Sequence, residues 1–325
     1  MSINYDRRAP EELLVALAPK GFAHSLVLYG RSGMWGLDLQ LRSLSPKPGR
    51  WATLYVGTTK AIDLHVDPTG RFKVSSALSY RKAHSWNDSW SKWQDAESLA
   101  ASWTEIEQYI DQVINAVILQ GKHLKEGVVQ SAVSRRGGKF TMLDREGVLG
   151  FANQAEKDRT LRRICEPWLK AAERRDPPNW WNGSKPSKQS TECDIVALTH
   201  TGQLVTIEVK PASAPASSIA WSPVQARQYA DQFQAWINQD PKEAVSILAD
   251  RLEQQRRIGM RSERSVPILD PSRPVKPIVA VDRRWSIVAR KRMRVVVDHY
   301  EGVGKPLEVE VLEIDLIGRL TEVHW

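Results

Sequence analysis

The strongest constraint on the fold is a pair of short apolar runs, Asp194–Thr199 and Leu204–Lys210, joined by His200-Thr201-Gly202-Gln203. Runs of this length around a glycine-containing turn read as a β-hairpin. Side chains alternate between the two faces of a strand, so Glu208 and Lys210 share a face. Asp194 opens the first strand and Glu208 lies near the end of the second, which sets the two carboxylates beside each other. Two carboxylates and a lysine therefore meet at one end of a sheet.

Helices and further strands surround the hairpin. Asn153–Arg174 carries Leu161, Ile164, Trp168 and Leu169 at helical spacing. Pro223–Asn238 reads as a helix opened by Ser222, with Pro at its first position. Asp240-Pro241-Lys242-Glu243 has a similar form: a capping Asp, then Pro, then Glu at the third position. Pro277–Val281 is a short buried strand, Arg284–Tyr300 a helix striped by Trp285, Ala289, Met293, Val296, Val297 and Tyr300, and Leu307–Ile314 a last strand.

The chain has 325 residues, enough for about two domains. Residues 1–125 read as an accessory α+β domain. A helix signal at Pro10–Leu17 is followed by strands near Trp35–Leu41, Trp51–Val56, Ala61–Val66 and Arg71–Ser75, an antiparallel meander. Asp67-Pro68-Thr69-Gly70 has turn chemistry. A helix over Ala96–Leu119 presents Ile106, Ile110, Val113 and Val117 on one face. Residues 126–150 read as a connector, and 151–325 as the second domain, an α/β unit.

Adjacent carboxylates repel, and burying them is costly. A hard divalent cation such as Mg²⁺ resolves that cost, taking one or two carboxylates and keeping several waters. Bound to a phosphate oxygen, such an ion polarises phosphorus, and a nearby ammonium offsets developing charge. These are the parts of a phosphodiesterase. The pattern acid-x-Lys also occurs at Asp240-Pro241-Lys242, but a helix start suits neither the geometry nor the chemistry.

These residues resemble the PD-(D/E)XK nuclease superfamily, with its restriction-endonuclease-like fold, a mixed central sheet flanked by helices. The resemblance covers about residues 150–315. Asp194 falls on the motif Asp, and Glu208-Val209-Lys210 on the acidic-x-Lys element. Glu156 falls on the preceding helix, where many members carry a further acid. Gln225-Ala226-Arg227-Gln228-Tyr229 looks like the Gln-x-x-x-Tyr element of the RecB-type branch. Cys193 stands where the motif often has Pro, a position that varies in the family. The resemblance implies Mg²⁺ or Mn²⁺ held by Asp194, Glu208 and the Val209 carbonyl. It gives Glu156 a second metal or a ligand water, Lys210 the attacking water, and Gln225 a supporting place. Tyr229 shares a helix face with Gln225, towards the nucleic acid. DNA is the expected substrate, by analogy with most relatives, and defence against foreign DNA or repair the expected setting.

The charge distribution agrees with a polyanion partner. The net charge is +8, and residues 251–300 hold 13 Lys and Arg against 5 Asp and Glu. A nucleic-acid footprint and a solvated face both fit such a segment. Gly259–Lys276 is a long irregular stretch, and Arg256, Arg257, Arg261 and Arg264 in and before it are expected to contact phosphate. Of the thirteen tryptophans, Trp86, Trp90 and Trp93 read as packing in preference to base stacking. Trp180 and Trp181 lie in a polar loop before the motif strand, where an exposed pair flanks a substrate channel or forms an interdomain contact.

Cys165 and Cys193 are too few for a disulfide framework or a four-cysteine zinc site. No long apolar run and no apolar leader are read, so no membrane is expected and the cytoplasm is the expected compartment. Two rivals stand beside the nuclease. One is a nucleic-acid-binding protein that keeps the fold without turnover. The other is a nuclease held in check by a protein partner, or working as a homodimer.

Overall fold

The computed structural model describes residues 3–44, 49–121, 126–134, 139–174, 179–181, 191–261, 266–315 and 319–323. It is a mixed α and β structure with several sheets. The chain divides into two compact units. The first is Asp6–Ser131 with Ile247–Val266, and the second is Met1–Tyr5, Ala132–Ser246 and Pro267–Trp325. The expected cut near residue 125 lies near one crossing, but residues 247–266 return to the first unit.

Strand β1 (Ile3–Asn4) belongs to the second unit. The first unit then runs α1 (Glu11–Leu17), α2 (His24–Ser32), β2 (Leu37–Leu44), β3 (Gly49–Val56), β4 (Thr59–Val66), β5 (Phe72–Ser75), α3 (Leu78–Ala83), α4 (Ala96–Ala101) and α5 (Trp103–Leu119). Strands β2 to β5 pair antiparallel in chain order, the expected meander. Its turn at Asp67 forms as its chemistry implies: Asp67 Oδ1 accepts from the amides of Thr69 and Arg71 at 2.8 and 3.0 Å. One sheet face, with Leu39, Leu41, Leu54, Leu64 and Val74, packs in a core with Ile106, Ile110, Val113 and Val117 of α5. The helix expected over Ala96–Leu119 is broken at Ser102 (φ −95°, ψ 2°). Beyond the break Trp103 is buried, and its indole Nε1 donates to Ser25 Oγ at 2.9 Å. The packing reading holds for Trp86 and Trp90, whose rings meet each other and Tyr109 edge-on at 5.0–6.2 Å, but not for Trp93, which is exposed with Lys73 Nζ 4.5 Å from its ring centre.

Helix α6 (Glu126–Val133) leads from the first unit into the second. Then follow β6 (Phe140–Val148), β7 (Gly150–Phe151), α7 (Gln154–Ala172), β8 (Glu192–Thr199), β9 (Leu204–Lys210), α8 (Ala216–Gln239), α9 (Pro241–Arg257), β10 (Lys276–Asp282), α10 (Ile287–Gly302), β11 (Glu310–Ile314) and β12 (Leu320–Glu322). The main sheet has the order β12-β11-β10-β9-β8-β6. Strands β9, β10 and β11 are parallel, and the remaining pairings are antiparallel, so the sheet is mixed. Helices α8 and α10 pack together on one face, where Ile219, Ala226, Ala289 and Met293 meet Val279, Val281 and Val311.

Two expectations are corrected here. Residues 140–148 are not connector but an edge strand along β8, from Phe140 opposite Thr199 to Val148 opposite Glu192. Its strand character is hidden by Asp144 and Arg145, both fully buried, with Asp144 accepting from Tyr5 Oη at 3.0 Å. Helix α8 begins not at Ser222 but at Ala216, and Pro223 lies inside it. Proline lacks the amide that would bond the carbonyl four residues back. The Ser222 hydroxyl takes its place, donating to the Ile219 carbonyl at 2.7 Å. Ser222 is therefore a patch for the proline and not a cap. The expected cap of α9 is present: Asp240 Oδ1 accepts from the Glu243 amide at 2.9 Å.

The β8–β9 turn depends on Gly202, whose φ is +81°. A Cβ there would stand 2.1 Å from the Ile268 carbonyl oxygen, while Asp270 N donates to the Gly202 carbonyl at 2.9 Å. Gly202→Ala is expected to cost on the order of 1–3 kcal/mol from positive φ alone, and more with the clash. A urea melt measures it, and unchanged stability would contradict the turn geometry.

Candidate active site at the end of the β8–β9 hairpin

Ile195 pairs with Ile207 and Val196 with Thr206, so the strand register carries Asp194 opposite Glu208. Residues opposed in an antiparallel pair point to the same face. That face is the one under α8, since the Thr206 hydroxyl donates to the Ala226 carbonyl at 3.4 Å. The side chains of Asp194, Glu208 and Lys210 thus gather at one end of β8 and β9.

Asp194 Oδ2 accepts the Val209 amide at 2.7 Å, which ties the carboxylate to the neighbouring strand. Glu208 is only 4% exposed, and Lys210 Nζ is in contact with its Oε1. On the other side β10 presents Val279 beside Glu208 and Val281 beside Lys210, both valines fully buried. The acid pair therefore has an apolar neighbour on one flank. A poorly solvated carboxylate needs a counter-charge, and in this structure Lys210 supplies it.

Cys193 alternates to the opposite face and is fully buried. Burial, joined by the negative charges of Asp194 and Glu208, pushes its thiol pKa well up. A neutral thiol is neither nucleophile nor metal ligand. Burial likewise pushes the Cys165 thiol up to about 12, so neither cysteine competes for a role here.

The donor set fits a hard divalent cation. It consists of two opposed carboxylates, each with two oxygens, and oxygen ligands are what Mg²⁺ and Mn²⁺ prefer. The set is small. Among the described residues no group of three or more His, Cys, Asp or Glu side chains is arranged to hold a metal ion. Glu156, on the first turn of α7 with its amide donating to Asn153 Oδ1 at 2.9 Å, does not complete the pair. The sequence reading passed over Glu146. Arg145 opposite Ile195 and Gly147 opposite Cys193 bracket it across from Asp194, and its φ is +53°. Reading 126–150 as a connector hid that placement. Val209 joins the cluster through its amide, which donates to Asp194 Oδ2.

The other expected residues are spread more widely. Gln225 is half-buried on α8 beside Ala226, above Thr206, and has no hydrogen bond to Asp194, Glu208 or Lys210 among the described residues. Tyr229 is 6% exposed and belongs to the interior. Trp181 is corrected: it is not an exposed channel residue but 2% exposed. It stacks on Trp221 at 4.9 Å and meets His299 edge-on at 4.5 Å. Trp180 is half-buried, with the Arg292 guanidinium 4.9 Å from its ring centre.

Arg256, Arg257 and Arg261 lie in the first unit, and the hairpin in the second. Arg256 Nε donates to Glu253 at 2.7 Å, Arg257 Nη1 to Glu11 at 2.6 Å, and Arg261 Nε to Gln255 at 2.6 Å. The first two are already neutralised by exposed carboxylates, which weakens their claim on phosphate. Arg264 lies outside the described residues. No described helix is long and apolar enough to cross a membrane. Compared with protein-family models, curated proteins and solved structures, the chain matches none.

Proposed function

We propose that this chain is a metal-dependent nuclease that hydrolyses phosphodiester bonds, with DNA as its substrate and a restriction-endonuclease-like second unit. The observation that carries the reading is the opposition of Asp194 and Glu208 at the hairpin end, with Lys210 on the same face. The mixed sheet with helices packed on it supports the fold assignment, and the choice of DNA follows the family resemblance.

In this reading Asp194 and Glu208 would hold Mg²⁺ or Mn²⁺, which would supply Lewis-acid polarisation of the phosphodiester and a more acidic water. The Val209 amide fixes the orientation of Asp194 through its hydrogen bond. The backbone rather than a mobile side chain thus sets where that carboxylate points. Lys210, kept beside Glu208 by their ion pair, donates to the attacking water or to a phosphate oxygen and offsets the negative charge that builds there. Val279 and Val281 limit water on the β10 flank, which strengthens each of these interactions.

Titration calorimetry with Mn²⁺ tests the arrangement. Wild type is expected to bind at one principal site, and Glu208→Gln to bind at least about tenfold more weakly, a loss of about 1.4 kcal/mol. Lys210→Met is expected to bind Mn²⁺ as tightly as wild type or more so, because the ammonium no longer competes for Glu208. It should also cut DNA about 10²-fold more slowly, the usual cost of losing one charge-stabilising donor. Equal Mn²⁺ affinity in wild type and Glu208→Gln would contradict the proposed ligand pair.

A further inference from the structure

We propose that the phosphate backbone of the nucleic acid is gripped by a cationic surface at the site end of the main sheet, centred on Arg283 and Lys291. This rests on the nuclease reading and deepens it by naming where the substrate is held. Strand β10 runs parallel to β9, and Val281 stands opposite Lys210. Residues just beyond Val281 therefore leave the sheet at the end where Asp194, Glu208 and Lys210 gather. The chain turns there through Arg283, whose amide donates to the Ile314 carbonyl at 2.9 Å. It enters α10 at Ser286, whose hydroxyl accepts from the Ala289 amide at 3.1 Å.

From residue 282 to residue 298 the sequence holds six Lys and Arg against two Asp. Three of the six are tethered. Arg284 lies on Asp282 at 2.7 Å, Arg294 on Asp298 at 2.8 Å, and Arg290 on Glu313. Arg283 and Lys291 are exposed, and among the described residues neither meets a carboxylate. Arg292 lies over the Trp180 ring, also without a carboxylate. A polyanion supplies the missing counter-charges and releases its own counterions in doing so. Arg256 and Arg257 offer the contrast, since Glu253 and Glu11 already hold them.

Ile287 and Val288 are 73% and 54% exposed on the same turn and would suit an acidic protein partner as well. The charge excess and its place at the sheet end with the two carboxylates favour the polyanion.

The test is a fluorescence-anisotropy titration of labelled duplex DNA with the full chain, in chelator so that no cutting occurs, from about 50 to 200 mM salt. Arg283→Ala with Lys291→Ala is expected to weaken binding roughly tenfold at low salt and to flatten the slope of log K against log salt by about 2. The charge-preserving pair Arg283→Lys with Lys291→Arg should restore the wild-type slope, which separates charge from folding. An unchanged slope in the alanine pair, or a loss confined to an Arg256→Ala, Arg257→Ala pair, would overturn the assignment. So would binding of anionic vesicles or an acidic polypeptide but not DNA.

Cleavage with Mg²⁺ restored keeps the two ideas apart. Wild type that binds through Arg283 and Lys291 but never cuts leaves the grip and removes the nuclease reading. Wild type that cuts while the alanine pair binds normally removes the grip alone.

Discussion

Asp194→Asn is expected to leave the fold intact and to lower metal-dependent cleavage by at least about 10³-fold, because several kcal/mol of charge stabilisation depend on the bound ion. The exchange is nearly isosteric. An asparagine carbonyl oxygen can still accept the Val209 amide that Asp194 Oδ2 accepts at 2.7 Å, so the β8–β9 pairing is preserved. What is lost is one of the two negative charges that oppose each other at the hairpin end. A neutral amide oxygen binds a divalent cation more weakly than a carboxylate does, and Glu208, already in contact with Lys210, is left as the one charged ligand of the pair. Cleavage rate and a thermal melt, measured on one preparation, check both halves. Cutting within about tenfold of wild type, with the melt unchanged, would show that Asp194 is only a structural carboxylate.

The second large effect is on stability. Trp181→Ala is expected to cost about 3–5 kcal/mol, the range for deleting a large buried aromatic side chain. Its ring stacks on Trp221 and meets His299 edge-on in a cluster with Trp168, Val224, Val296 and Tyr300. Tyr300 Oη in turn donates to the Trp168 carbonyl at 2.7 Å, so the cluster joins α7, α8 and α10. A urea titration measures the loss. A variant as stable as wild type but weakened in DNA binding would restore the channel role read from the sequence.

How far the sequence could be read follows from which signals are local. The hairpin was readable because its alternation is uninterrupted and Gly202 marks its turn. The register that opposes Asp194 to Glu208 follows from those two features alone. The meander of the first unit was readable for the same reason. Strand β6 was not, because it carries the buried charges Asp144 and Arg145, and Asp144 is satisfied by Tyr5, distant in sequence. A window of neighbouring residues does not contain that compensation. Helix α2 carries Gly30, at which a Cβ would stand 2.7 Å from Leu39 Cβ. Close packing selects the glycine there, and glycine weakens the helical signal.

The start of α8 was misplaced for a related reason. Ser-Pro is the usual mark of a helix start, and here the serine hydroxyl repairs the bond that the proline removes within the helix. Trp181, Arg256 and Arg257 show the limit most clearly. Polar neighbours in sequence suggested exposure for the one, and a local charge excess suggested free cations for the others. Trp221 covers the tryptophan, and Glu11 neutralises Arg257 from 246 residues away in sequence.

The most direct test is cleavage of supercoiled, linear duplex and single-stranded DNA by the purified full chain, with Mg²⁺, with Mn²⁺ and with neither, beside Asp194→Asn and Glu208→Gln. The two-carboxylate site predicts cutting that requires the metal and disappears in both variants. Metal-independent cutting, or equal cutting by all three proteins, would contradict it.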